Sequence, residues 1–212
     1  MDPRKTYLSH KAEFENRLAA FRSVWQNGSD KDIFAELCYC LLTPREKARV
    51  AFNAVAALCD SGALVKSGES KIDKILKENG VALHPQKAQK IFINRRLYYP
   101  DTKQRLTNKF LCFADIFRSR AYLAKNIAGF GFKEASHFLR NIGFGSSLCI
   151  LDTHMLRQLV EFKVIKEKPA SLTPKRYLEI EALVTAFAKK KRIPLDALDL
   201  VFMYRENPEI MK

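Results

Sequence analysis

A lysine and an aspartate pose the chemical question. Lys133 stands two residues beyond the second glycine of Gly129-Phe130-Gly131, and Asp152 follows nineteen residues later in Cys149-Ile150-Leu151-Asp152-Thr153-His154. A lysine amine must be neutral to attack, and it then forms a Schiff base with an electrophilic carbon. A carboxylate suits the opposite task, stabilising developing positive charge and assisting proton movement. Plainer roles stay open for both. With 37 Lys and Arg residues, a solvated surface amine is the ordinary fate of a lysine here. An aspartate at a helix start is ordinarily a cap, a role compatible with a second oxygen facing a site.

The elements that must position this pair are helices. Apolar residues recur at spacings of three and four, and period-two alternation is almost absent, which predicts an all-α fold. About ten helices fit, over roughly 7–26, 31–42, 45–60, 70–79, 86–98, 107–118, 121–127, 132–142, 153–163, 174–191 and 195–206. Asn27-Gly28-Ser29-Asp30 ends the first helix and caps the second, and Thr173-Pro174 sets a capping hydroxyl before a proline at the first helical position. Four of the eight glycines (Gly129, Gly131, Gly143, Gly145) fall within seventeen positions, so unusual backbone geometry concentrates there. Ile127 to Ala135 joins a short apolar helix to an amphipathic one through Gly-x-Gly, the pattern of a helix-hairpin-helix. Its glycines allow close approach to a phosphate, and the next helix N-terminus favours an anion. Gly129, Phe130 and Gly131 are therefore the candidate backbone-binding residues, although Gly-x-Gly also serves as a plain helix connection.

Composition narrows the partner. A net charge of +14 favours a polyanion, because phosphate binding by Lys and Arg releases condensed counterions. The alternative is a solvated basic surface, with tracts such as Lys189-Lys190-Lys191-Arg192 keeping the chain soluble. No stretch approaches the roughly 18 apolar residues of a membrane helix, and no signal segment opens the chain, so the expected location is the cytoplasm. Cys38, Cys40, Cys59, Cys112 and Cys149 are odd in number and sit among apolar neighbours, as reduced thiols do. Cys38 and Cys40 lack a second ligand pair, which argues against zinc.

The tract Gly131-Phe132-Lys133-Glu134-Ala135-Ser136-His137-Phe138-Leu139-Arg140-Asn141-Ile142-Gly143 and the motif Leu151-Asp152-Thr153-His154 resemble the endonuclease III superfamily of base-excision glycosylases. The closer resemblance is to type 2 8-oxoguanine DNA glycosylase/AP lyases. About 25 residues carry it strongly; Glu36 to Pro44, Lys87-Ala88 before Ile91, and a chain end in lysine extend it weakly.

The resemblance implies two helical lobes flanking a cleft. Residues 30–145 would form the lobe with the hairpin, and 1–29 with 146–212 the lobe bringing Asp152. It implies Lys133 as nucleophile, Asp152 as acidic partner, damaged double-stranded DNA as partner of a monomer at the nucleoid, and Lys212 in base recognition. Met203 stands where the family commonly has tryptophan, and Pro44 could wall the base pocket or simply break a helix. His137 and His154 could help position the site or be structural. The cysteine quartet of an iron–sulfur cluster is missing, so no cofactor is required, and a monovalent cation at the hairpin remains possible. Three rivals stay open: the same chemistry on oxidised pyrimidines, a non-catalytic hairpin that only holds phosphates, and a helical protein-interaction scaffold.

Overall fold

The computed structural model describes residues 2–109, 115–206 and 208. Among the described residues there are thirteen helices and no strand. The chain divides into two compact units, Met1–Ser23 with Leu139–Lys212, and Val24–Phe138.

The unit Val24–Phe138 is built around α3 (Asp30–Leu42). Ser29 opens α3 with a full capping box: its hydroxyl accepts from the Asp32 amide, and the Asp32 carboxylate accepts from the Ser29 amide at 2.8 Å. From Leu37 to Leu42 every residue of α3 is buried, because α4 (Ala48–Asp60), α7 (His84–Tyr98) and α8 (Thr102–Lys109) pack around it. Two shorter helices, α5 (Ala63–Lys66) and α6 (Glu69–Glu78), lean on α4, and α6 also packs on α7. Ile33, Phe34, Leu58, Leu64, Ile72 and Ile91 are wholly excluded from solvent in this core. Side chains of that size contribute on the order of 1.5–3 kcal/mol each on burial. The hairpin follows, as α9 (Ile116–Asn126), a turn, and α10 (Phe132–Asn141), whose last residues belong to the other unit.

The unit Met1–Ser23 with Leu139–Lys212 holds α1 (Pro3–Ser9), most of α2 (Lys11–Asn27), α11 (Thr153–Glu161), α12 (Pro174–Lys191) and α13 (Leu195–Glu206). Helix α12 starts as the sequence predicts, with the Thr173 hydroxyl accepting from the Arg176 amide and Pro174 at the first position. Its buried residues Tyr177, Ile180, Glu181, Val184 and Ala188 repeat with helical spacing. Asp199 of α13 and Arg140 form a buried ion pair at 2.9 Å, and the Arg140 guanidinium lies over the Phe21 ring at 4.4 Å.

Three expected helices differ, the 121–127 segment being the later part of the single helix α9. The first is broken at His10, because Asp2 and Pro3 start a separate helix and the His10 ring packs on Tyr204. The expected 107–118 helix is not continuous either. Asp115 acts as a cap, its Oδ1 accepting from the Phe117 and Arg118 amides at 3.1 Å, so α9 begins at Ile116. The middle of that expected segment, 110–114, and with it Cys112, lies outside the described residues. Cys38, Cys40 and Cys149 are buried, and Cys59 is partly exposed.

Candidate functional site

The hairpin turn begins where α9 runs out. The Phe130 amide donates to the Ile127 carbonyl at 3.1 Å, and Gly129 adopts φ +94°, a left-handed conformation that glycine reaches without strain. A β-carbon at Gly129 would lie 2.6 Å from Lys90 Cδ and 3.0 Å from a Leu41 methyl carbon, so the turn is also tightly packed. Asn94, wholly buried on α7, clasps the turn from beneath. Its Nδ2 donates to the Ala128 carbonyl at 3.0 Å and its Oδ1 accepts from the Ala128 amide at 3.1 Å. These paired bonds fix one backbone residue in both directions, which a single bond would not.

Helix α10 opens with half of a capping box. Glu134 Oε2 accepts from the Gly131 amide at 3.0 Å, and the Ala135 amide makes the first helical bond to the Gly131 carbonyl. Only this first turn reaches the surface: Gly131 is exposed and Phe132, Lys133 and Glu134 are half-buried, whereas 135–142 are buried throughout. Lys133 therefore presents its amine from the last accessible turn of an otherwise enclosed helix.

That amine is held. Lys133 Nζ donates to Thr43 Oγ1 at 3.0 Å and lies 3.6 Å from Glu134 Oε1, with about a fifth of its side chain exposed. Thr43 caps the end of α3 and donates its own hydroxyl proton to the Cys40 carbonyl at 3.0 Å. Beside it, the Lys87 amine donates to the Leu42 carbonyl at 2.9 Å and pairs with Glu46 at 3.2 Å, both side chains nearly excluded from solvent. Burial pushes the Lys87 ammonium below its usual value; Glu46 opposes this, and the Lys90 and Lys133 charges add to it. A second lysine thus shares the end of α3 with Lys133.

Asp152 lies in the other unit, at the start of α11. Its Oδ1 accepts from the Met155 amide at 2.7 Å, so the capping role is real and uses one of its two carboxylate oxygens. The segment leading to it is clamped by α12. Tyr177 donates to the Cys149 carbonyl at 2.6 Å and accepts from the Leu151 amide, while Glu181 accepts from the Cys149 amide at 2.8 Å. Two residues on, His154 bonds Glu206 at the end of α13, and Arg157 joins the same carboxylate. His137 is buried and meets the Tyr39 ring edge-on at 5.7 Å.

The remaining candidates are dispersed. Pro44 is half-buried in the turn that carries Thr43, and Met203 is half-buried on α13. Phe130 is packed inward, 8% exposed, with its ring 6.0 Å from that of Phe138, which leaves its backbone as the part able to meet a ligand. Lys212 lies outside the described residues. Among the described residues no group of three or more His, Cys, Asp or Glu could hold a metal ion, and no helix is long and apolar enough to cross a membrane.

Sequence reasoning missed the role of Asn94 and the Tyr177–Glu181 clamp. A signal for Asn94 exists: Lys87, Ala88, Ile91, Asn94, Arg95 and Tyr98 form one buried stripe on α7 at helical spacing, and polar members of an apolar stripe must find partners. Each does, and Arg95 donates to the Ala63 and Leu64 carbonyls.

An all-helical chain in which a Gly-x-Gly hairpin delivers a half-buried lysine belongs to the helix-hairpin-helix class. Residues 14–193 match the family of 8-oxoguanine DNA glycosylases, and the chain belongs to that family. The 8-oxoguanine DNA glycosylase/AP lyase of Fusobacterium nucleatum is 37% identical over 208 residues, which cover 98% of this chain and 95% of the relative. Among solved structures, the 8-oxoguanine DNA glycosylase of Thermotoga maritima matches with a TM-score of 0.88 at 30% identity, covering 99% of this chain and 96% of that one. The Methanocaldococcus jannaschii 8-oxoguanine glycosylase/lyase, in complex with a 15mer DNA containing 8-oxoguanine, matches with a TM-score of 0.86 at 28% identity over 99% and 98% of the two chains.

Proposed function

We propose that this protein excises 8-oxoguanine from double-stranded DNA and cleaves the resulting abasic strand, with Lys133 as nucleophile and Asp152 as its acidic partner. One observation carries the reading: the Lys133 amine is held at 3.0 Å by Thr43 on the only accessible turn of α10, in a chain of the 8-oxoguanine DNA glycosylase family.

The damaged base must leave the stack before any side chain can reach its sugar. Lys133 Nζ then bonds to the anomeric carbon as the glycosidic bond breaks, and the departing base takes up a proton. Asp152 stabilises the cationic sugar and moves protons. One amine proton passes to the ring oxygen as the carbon–oxygen bond opens, giving a protonated Schiff base, and removal of a proton from the adjacent carbon then expels the 3′ phosphate by β-elimination. Gly129, Phe130 and Gly131 serve the DNA backbone through their main chain, at a helix entry that favours anions.

Nucleophile and proton carrier are both side chains, so the mechanism calls on no cofactor. The Ile127 and Ala128 carbonyls each accept a protein donor and have a second lone pair to offer, which supports a monovalent cation at the turn whose charge would aid phosphate binding. Pro44, adjacent to Thr43, and Met203 are the proposed walls of the base pocket, and Lys212 the proposed base-reading terminus. One chain carries both reacting groups, which supports action as a monomer; its proposed place is the cytoplasm, at the nucleoid, where a DNA substrate lies.

The test is strand cleavage without added alkali on duplexes holding one 8-oxoguanine, one oxidised pyrimidine, or no damage. Cleavage confined to the 8-oxoguanine strand, and weakened by deleting Lys212, is the expected result. Cleavage confined to the oxidised pyrimidine would overturn the substrate, and tight binding with no cleavage would leave a passive DNA-binding module.

A further inference from the structure

We propose that Thr43 is a positioning residue that aims the Lys133 amine, an inference that rests on Lys133 being the nucleophile. A threonine hydroxyl has one proton, and the Cys40 carbonyl, which can only accept, takes it at 3.0 Å. Toward Lys133, also 3.0 Å away, the same oxygen can therefore only accept. A neutral lysine amine has two protons and one lone pair. One proton is directed at Thr43, and Glu134 Oε1, 3.6 Å away, attracts the other. The carbon stem occupies a third tetrahedral direction, so the lone pair points along the fourth, away from both partners.

The partners are themselves fixed, which is what turns a contact into an orientation. Glu134 is anchored through Oε2 to the Gly131 amide. Thr43 closes α3 through its amide bond to the Tyr39 carbonyl, and the preceding Leu42 carbonyl is gripped by the Lys87 amine. Two neighbouring charged residues are also held. Glu46 Oε2 takes both Lys87 and the Ala82 amide, and the Lys90 stem packs against Gly129. Without Thr43, a four-carbon stem is free to carry the lone pair through many directions, and misdirection of a reacting atom costs rate rather than affinity.

The experiment uses the full chain with Thr43→Val, Thr43→Ala and Thr43→Ser, and Lys133→Gln alongside. The substrate is a duplex with a preformed abasic site, so that base recognition by the neighbouring Pro44 turn does not enter. Two quantities are compared: the single-turnover rate of borohydride-trapped adduct, and the Kd for a duplex holding an uncleavable tetrahydrofuran site. Thr43→Val is expected to trap roughly 10- to 100-fold more slowly with Kd changed less than about twofold, and Thr43→Ser to recover the rate to within about threefold. Thr43→Ala gives the same reading if the valine variant melts early. The proposal is overturned if the valine and alanine variants trap at the wild-type rate, or if Kd weakens as much as the rate and serine restores neither. If Lys133→Gln still traps, the nucleophile assignment itself fails. If it traps nothing while Thr43→Val matches wild type, only the aiming role fails.

Discussion

At the scale of single residues, holding and reacting are separate tasks. Asp152 holds through Oδ1, which caps α11 by accepting from the Met155 amide, while its second oxygen is proposed for the sugar cation. Asn caps a helix about as well as Asp but carries no charge. Asp152→Asn is therefore expected to keep the melting temperature within a few degrees while slowing strand cleavage roughly 100- to 10,000-fold. A variant that melts much earlier would show that the carboxylate is chiefly structural. The Lys87–Glu46 pair makes the contrasting case. Removing one partner of a buried ion pair leaves the other uncompensated, at a cost on the order of 3–5 kcal/mol. Glu46→Gln should thus lower thermal stability strongly, whereas an unchanged melting temperature would mean that the Leu42 carbonyl suffices for Lys87.

At the scale of elements, α7 ties the neighbouring turns together from one buried stripe, through Lys87 to the end of α3 and Asn94 to the hairpin turn. Asn94→Ala removes both bonds to the part-buried Ala128 amide and carbonyl, at a cost of up to about 1–3 kcal/mol for each group that water does not reach. The expected outcome, read by thermal unfolding and DNA titration, is a lower melting temperature together with weaker backbone binding. Retained affinity would dissociate the turn from DNA contact. Local signals were the legible part of this architecture. Ser29, Thr173-Pro174 and the glycines of the hairpin act through neighbours within a few positions, so their roles could be read directly. The Asp115 cap was equally local but lay inside an apparently periodic run, which hid it. Thr43 on Lys133, Asn94 on Ala128 and Tyr177 on Cys149 join residues 90, 34 and 28 positions apart, and no spacing rule announces which polar group will meet which. Phe130 shows the same limit, because a turn position alone did not reveal that its ring packs inward on Phe138.

At the scale of the whole molecule, an excess of 37 basic over 23 acidic residues must act through the field it creates. Affinity for duplex DNA should fall linearly on a log–log plot against salt, with a slope of about −0.9 per phosphate engaged. With roughly five phosphates held, the loss between about 50 and about 200 mM salt is on the order of 500-fold. Flat salt dependence would favour a protein-interaction scaffold. Family membership, an all-helical architecture and a lysine presented at the hairpin all support the central proposal, that the protein attacks damaged DNA covalently through Lys133. Borohydride reduction tests this most directly, on a duplex containing one 8-oxoguanine, with wild-type protein and Lys133→Gln compared. The account predicts a stable protein–DNA adduct on the damaged strand with the wild type and none with the variant, although the variant still binds. An adduct that persists in Lys133→Gln, or its absence from a wild-type protein that cleaves the strand, would contradict it.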